Sequence, residues 1–172
     1  MTINRTIMAP QDLSNTRLFF LHIGSQPTDH GSVLTCKPDG SDLRTLVSGL
    51  GTHPDGIAVD ASHGHIYYTN MGIDPAKNDG FISRVDLDGS NNTVIIKPGV
   101  TYTPKQCTIE FKSKKLFWCD REGMRVWRAD LDGSSAEVLY QAAEGEDARK
   151  DCLLYTSPSP RDGLLSRMPS SA

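Results

Sequence analysis

Three polar residues of different chemistry, His22, Asn70 and Asp120, stand in one repeated slot, each two places after an aromatic pair: Phe19-Phe20, Tyr67-Tyr68 and Phe117-Trp118. An imidazole, an amide and a carboxylate at the ends of strands can bond backbone or face a shared channel. Asp120 has Arg128 or Arg121 within plausible reach, and such a pair in a repeated sheet is expected to fix geometry rather than to react. His63 and His65 would project to one side of a strand, as two metal-ligating imidazoles do, but Ser62-His63-Gly64 reads better as a turn. The Asp-Gly-Ser triplets at Asp39, Asp88 and Asp132 resemble short acidic calcium loops. Each offers too few clustered oxygen donors, however, so turn chemistry is the expected role. Cys107 and Cys119 have no obvious activating neighbour and read as small apolar residues. The chain shows no Gly-x-Ser-x-Gly elbow, no His-x-x-x-His pair, no Gly-rich phosphate loop and no Cys-x-x-Cys pair. The chemistry on offer is binding.

The elements that position these residues repeat. Each copy runs from the aromatic pair through a strand with a basic residue (Arg84, Arg128; Thr35 in the first copy) to an Asp-Gly-Ser turn. The turn glycines Gly40, Gly89 and Gly133 are spaced 49 and 44 residues apart, the range of propeller blades. Nine segments read as strands because they are short, rich in β-branched and aromatic residues, and bounded by turn formers: 33–36, 57–59, 66–69, 82–85, 94–96, 108–111, 116–119, 126–129 and 138–140. Asp-Gly supplies the positive φ that tight hairpins demand. In the aromatic slot one ring is expected to face each neighbouring sheet, with Phe20, Tyr68 and Trp118 as structural repeat positions. Trp118 and Trp127 are expected in the inter-blade core, although Trp127 replaces Ser83 and Leu34 and could instead be exposed. The second copy inserts residues 71–80, a loop longer than its counterpart at 121–124. Long blade loops are where such scaffolds recruit ligands, so Asp74 and Lys77, with Arg121 and the loop 26–31, are candidate contact positions if those loops share a face.

Ile66-Tyr-Tyr-Thr-Asn70 and Leu116-Phe-Trp-Cys-Asp120 are followed by Ile82-Ser-Arg84 or Val126-Trp-Arg128 and by Leu-Asp-Gly-Ser. Together with Pro54-Asp-Gly-Ile-Ala-Val-Asp60 they resemble the low-density-lipoprotein-receptor class B repeat, whose hallmark is Tyr-Trp-Thr-Asp. The resemblance runs from about Arg17 to Tyr140. It implies an all-β fold, a fragment of about three blades from a six-bladed β-propeller with four-stranded antiparallel blades. It also implies a non-catalytic module that presents loops on one face to a protein, peptide or glycan without a cofactor. The first copy departs from the pattern at Leu21-His22 and Thr35, as a degenerate or seam blade would. Gluconolactonase-like propellers also carry a Pro-Asp-Gly segment, and that second resemblance implies a metal-dependent lactonase or related hydrolase as the alternative. Asp55 would then be a ligand to a divalent cation such as calcium, with Asn70 a loose second. Under either resemblance the natural protein is expected to be about twice as long, since a half-ring leaves an open flank.

The division along the chain is a lead-in at 1–16, a partial propeller at 17–151 with repeats at about 17–60, 61–110 and 111–151, and a tail at 152–172. Read back into codons, the tail segments 152–162 and 166–172 resemble a transposase-type sequencing adapter in one frame. The tail is therefore expected to be non-native, not to pack on the blades, and to be set aside in fold reasoning. The formal charge is −3, and −4 once the two arginines and one aspartate of the tail are removed. An acidic chain with scattered basic residues lacks the footprint of a nucleic-acid binder. No stretch approaches the apolar length of a membrane span, and the first ten residues lack a signal-peptide core. Without Cys152, three unclustered cysteines remain, which argues against a disulfide framework. The sequence as written is expected to be cytoplasmic.

Overall fold

The computed structural model describes residues 15–24, 30–51, 53–73 and 77–142. Asp74, most of the loop 26–31 and the whole tail 152–172 lie outside the described residues. Every regular element described is a strand, and each sheet is antiparallel. The first sheet holds β1 (Leu18–His22), β2 (Ser32–Cys36) and β3 (Arg44–Val47). The second holds β4 (Pro54–Asp60), β5 (His65–Asn70), β6 (Gly80–Asp86) and β7 (Thr93–Thr101). The third holds β8 (Pro104–Glu110), β9 (Lys115–Asp120), β10 (Arg125–Asp130) and β11 (Glu137–Gln141). The strand order within each sheet follows the chain, which is the meander of a propeller blade.

Two sequence expectations change, and the expected burial of Trp127 holds. The strand Arg44–Val47 escapes the pattern reading because half of its four residues are polar or charged. The repeat boundaries shift by one strand: Pro54–Asp60 opens the second sheet rather than closing the first, and Pro104–Glu110 opens the third. The reason is register, since Ile57 pairs with Tyr68 and Cys107 with Trp118. Trp127 is buried, with its ring stacked on Trp118 at 5.6 Å and 2° between planes.

The core is made between sheets. Tyr68, Ile66 and Val85 pack with Val33 of the first sheet, while Tyr67, Ile82 and Ile96 pack with Cys107, Leu116 and Trp118 of the third. Adjacent ring residues thus serve opposite neighbours, because side chains alternate along a strand. Two buried ring donors find partners: the Tyr68 hydroxyl donates to Asn92 Oδ1 at 2.9 Å, and the Trp118 indole to Thr101 Oγ1 at 3.3 Å. The three Asp-Gly turns share one hydrogen-bond pattern, with Gly40, Gly89 and Gly133 each donating to the carbonyl three residues back. Gly89 and Gly133 meet a second demand. A Cβ on Gly89 would sit 2.6 Å from Leu46 O, and one on Gly133 would collide with Ile95 O, so each turn abuts the outer strand of the preceding sheet.

Candidate functional site

The C-terminal ends of β1, β5 and β9 and the connectors' described residues 48–51, 53 and 102–103 lie at one end of the sheets, and the Asp-Gly turns lie at the other. At the first end, the slot that holds His22, Asn70 and Asp120 ties the second and third sheets to the connector before each, through Asn70 and Asp120. Asn70, 1% exposed, donates from Nδ2 to Leu50 O at 2.8 Å and accepts from Gly72 N at 3.0 Å. Asp120, fully buried, accepts from Tyr102 N, Thr103 N and Gly123 N at 3.0 to 3.2 Å. Arg125 adds bonds from Nε at 3.1 Å and Nη2 at 2.6 Å. Its guanidinium in turn lies over the Tyr102 and Trp127 rings, at 5.4 and 4.8 Å from their centroids.

The cation expected beside Asp120 is therefore the wrong one. Arg125 stands directly opposite Asp120 in the β9–β10 register, whereas Arg128 faces Phe117. Arg128 instead bonds Glu137 of β11, and Arg121, half exposed, lies 3.4 Å from Glu122. His22 is exposed at the end of β1, and Lys77 is exposed in the turn before β6. The structure does not bring these candidates together into one constellation. It uses Asn70 and Asp120 as braces and leaves Arg121, Lys77 and His22 on the rim.

Nearer the inner strands, Asp55 of β4 meets β8. Lys105 Nζ and Gln106 Nε2 each lie 3.2 Å from its two carboxylate oxygens. Lys105 holds in β8 the place that Asp55 holds in β4, so the repeat changes sign from one blade to the next. This close approach depends on Gly56, where a Cβ would collide with Lys105 O and sit 2.8 Å from Cys107 N. Thr69 completes the junction by accepting from Gly56 N and donating to Lys105 O, both at 2.8 Å. A carboxylate already bonded to an ammonium is a poor start for a cation site, and Asn70 has both ends of its amide on backbone. Among the described residues no three His, Cys, Asp or Glu side chains are placed to hold a metal ion.

Sequence reasoning missed Arg17. It bonds Thr35 Oγ1 at 3.0 Å and pairs with Asp42 at 2.8 Å, so a cation does reach the first copy's Thr35 slot, from the residue just before β1. The signal was present: a basic residue precedes each aromatic strand, and His65 and Lys115 likewise lie 3.6 and 2.6 Å from Asp86 and Asp130. The turn aspartates are held locally. Bonds from Ser41, Ser90 and Ser134 keep the carboxyls of Asp39, Asp88 and Asp132 below the usual range. Asp60 accepts from Ser62 and His63, which confirms the turn at 61–64; burial pushes its carboxyl up, but these bonds outweigh it and the net displacement is downward. Burial also drives the Cys107 thiol up to about 12, removing thiolate chemistry at neutral pH. Cys36, Cys107 and Cys119 are all buried, and none is in a disulfide among the described residues.

The fold and its inter-sheet braces define a piece of a β-propeller. A chain in the crystal structure of a nidogen/laminin complex matches over 67% of this chain and 42% of its own length at TM-score 0.56 with 22% identity, a likeness of fold. The chain belongs to the low-density-lipoprotein-receptor class B, or YWTD-type, propeller repeat proteins. It is 50% identical over 128 residues to low-density lipoprotein receptor-related protein 1 of Pyricularia oryzae, covering 72% of this chain and 41% of that protein. It is 37% identical over 104 residues to low-density lipoprotein receptor-related protein 5 of Mus musculus, covering 60% of this chain and 6% of that protein. The chain thus spans less than half the length of these curated relatives. No protein-family model matches it. Among the described residues no helix is long and apolar enough to cross a membrane.

Proposed function

We propose that this chain is part of a non-catalytic propeller that binds a protein, peptide or glycan through the face bearing the connectors and the loops after β5 and β9. The observation that carries this reading is the use of Asn70 and Asp120: the polar groups best placed for chemistry are spent on backbone, so the face is rigid and its exposed residues are free to vary. Arg121 and Lys77 are exposed there, and the Asp55, Lys105 and Gln106 cluster lies toward the inner strands. The relatives named as receptor-related proteins and the nidogen/laminin structure support a protein as the partner class. Three buried cysteines on separate strands, none in a disulfide among the described residues, favour a reducing compartment, the cytoplasm, over an oxidising one.

The test uses the full-length protein and its captured partner. Lysine-directed cross-links are expected to fall on Lys77 and Lys105, and Arg121→Glu to weaken binding without lowering stability. Cross-links confined to the Asp-Gly-turn end would overturn the assignment of the face. Hydrolysis of a lactone panel with calcium, lost in Asp55→Ala, would replace the reading with a hydrolase.

A further inference from the structure

At the opposite end of the sheets, a cleft of about 430 Å³ opens between the second and third blades, lined by Asp60, Tyr67, Arg84, Lys114, Asp130 and Asp132 among others. Among its lining groups is the Arg84 guanidinium, which bonds the Tyr67 hydroxyl while its buried Nε meets no hydrogen-bond partner. The three copies of the repeat show why this is unusual. In the third blade the equivalent Arg128 stands opposite Glu137 and donates its Nε to that carboxylate. In the first blade the cation is Arg17, and Asp42 neutralises it. In the second blade the residue opposite Arg84 is Thr93, which brings no charge.

The carboxylates of the cleft are committed elsewhere. Asp60 takes Ser62 and His63, Asp130 takes Lys115, and Asp132 takes both donors of Ser134 while feeling Arg84 only through its charge. Lys114 adds an exposed second cation at the mouth. The corresponding cleft between the first and second blades is lined by Arg17 with Leu18, Phe19, Val59 and Leu87, and there the guanidinium is already paired with Asp42. A desolvated guanidinium donor without an acceptor carries the cost of an unmade charged hydrogen bond.

We propose that the cleft between the second and third blades is a binding site for a small oxyanion, a carboxylate or a phosphate, held by Arg84 with Lys114 at the entrance. The site is distinct from the face assigned above and does not depend on it.

The experiment is calorimetric titration of the full-length protein with inorganic phosphate and, separately, with succinate, at constant ionic strength set by sodium chloride. Saturable binding of one anion is expected, and which one binds identifies the ligand chemistry. Arg84→Gln should weaken it at least about tenfold, the worth of a charged hydrogen bond, while Arg128→Gln leaves it unchanged. Thr93→Glu supplies in blade two the acid that Glu137 supplies in blade three; it should raise thermal stability and abolish binding, which keeps the test decisive if Arg84→Gln fails to fold. Neither anion binding saturably, or binding untouched by Thr93→Glu, would overturn the proposal.

Discussion

The second and third blades fill the same strand-end slot with different chemistry. Asn70 joins its connector with one donated and one accepted bond, both neutral. Asp120 collects five donors, two of them from a guanidinium that is itself sandwiched by rings. The difference teaches that the slot is selected for holding a connector rather than for a charge, and that charge enters where the opposite strand supplies Arg125 in place of Phe81. The inner strands tell the same story, since Asp55 and Lys105 occupy one repeat position and pair with each other.

The comparison breaks first at its charged member. Asp120→Ala should cost about 3–5 kcal/mol, because it strands the Arg125 charge and unmakes several bonds, and chemical denaturation would read it. Asn70→Ala in the same assay should cost about 1–3 kcal/mol, the penalty for unpaired neutral groups; equal losses would dissolve the contrast. Gly56→Ala forces β4 away from β8 and should cost about 1–3 kcal/mol as overpacking does, with a change in tryptophan emission because Trp118 and Trp127 pack at that junction. Asp60 contributes through pH. Its folded carboxyl is held below the ordinary value, so its contribution is complete above the unfolded pKa and is lost as pH falls through the folded one. Asp60→Asn should therefore flatten the acid limb of the stability profile and lower stability at neutral and alkaline pH, where the carboxylate's contribution is complete. Smallest of all, Lys105→Met should shift stability by less than about 1 kcal/mol, since partly exposed pairs contribute little.

The scaffold was legible because the repeat is written three times. The aromatic pairs, the Asp-Gly turns and the alternation of β5 and β9 each follow from a local rule of strand or turn chemistry. The partner of Asp120 was not legible, because choosing among Arg121, Arg125 and Arg128 needs the β9–β10 register, and only Arg125 is directly opposite. The assignment of Pro54–Asp60 to the second blade failed for a related reason, since a strand of that composition can pair with either neighbour until Ile57 is seen against Tyr68. Arg17 was hidden by comparing equivalent positions only, when the guanidinium reaches Thr35 from the residue just before β1. Asp55 was visible as a carboxylate in a suggestive motif, but its engagement by Lys105 is a contact between residues 50 apart in sequence.

The central claim is that the motif-end polar residue braces the blade connector. Amide hydrogen exchange resolved to single residues, comparing the full-length protein with its Asp120→Ala variant, tests it most directly. The account predicts that Tyr102, Thr103 and Gly123 lose protection well beyond the uniform change across the third blade. Unchanged protection at those three amides, with partner binding or lactone turnover lost instead, would contradict it and make Asp120 a functional group.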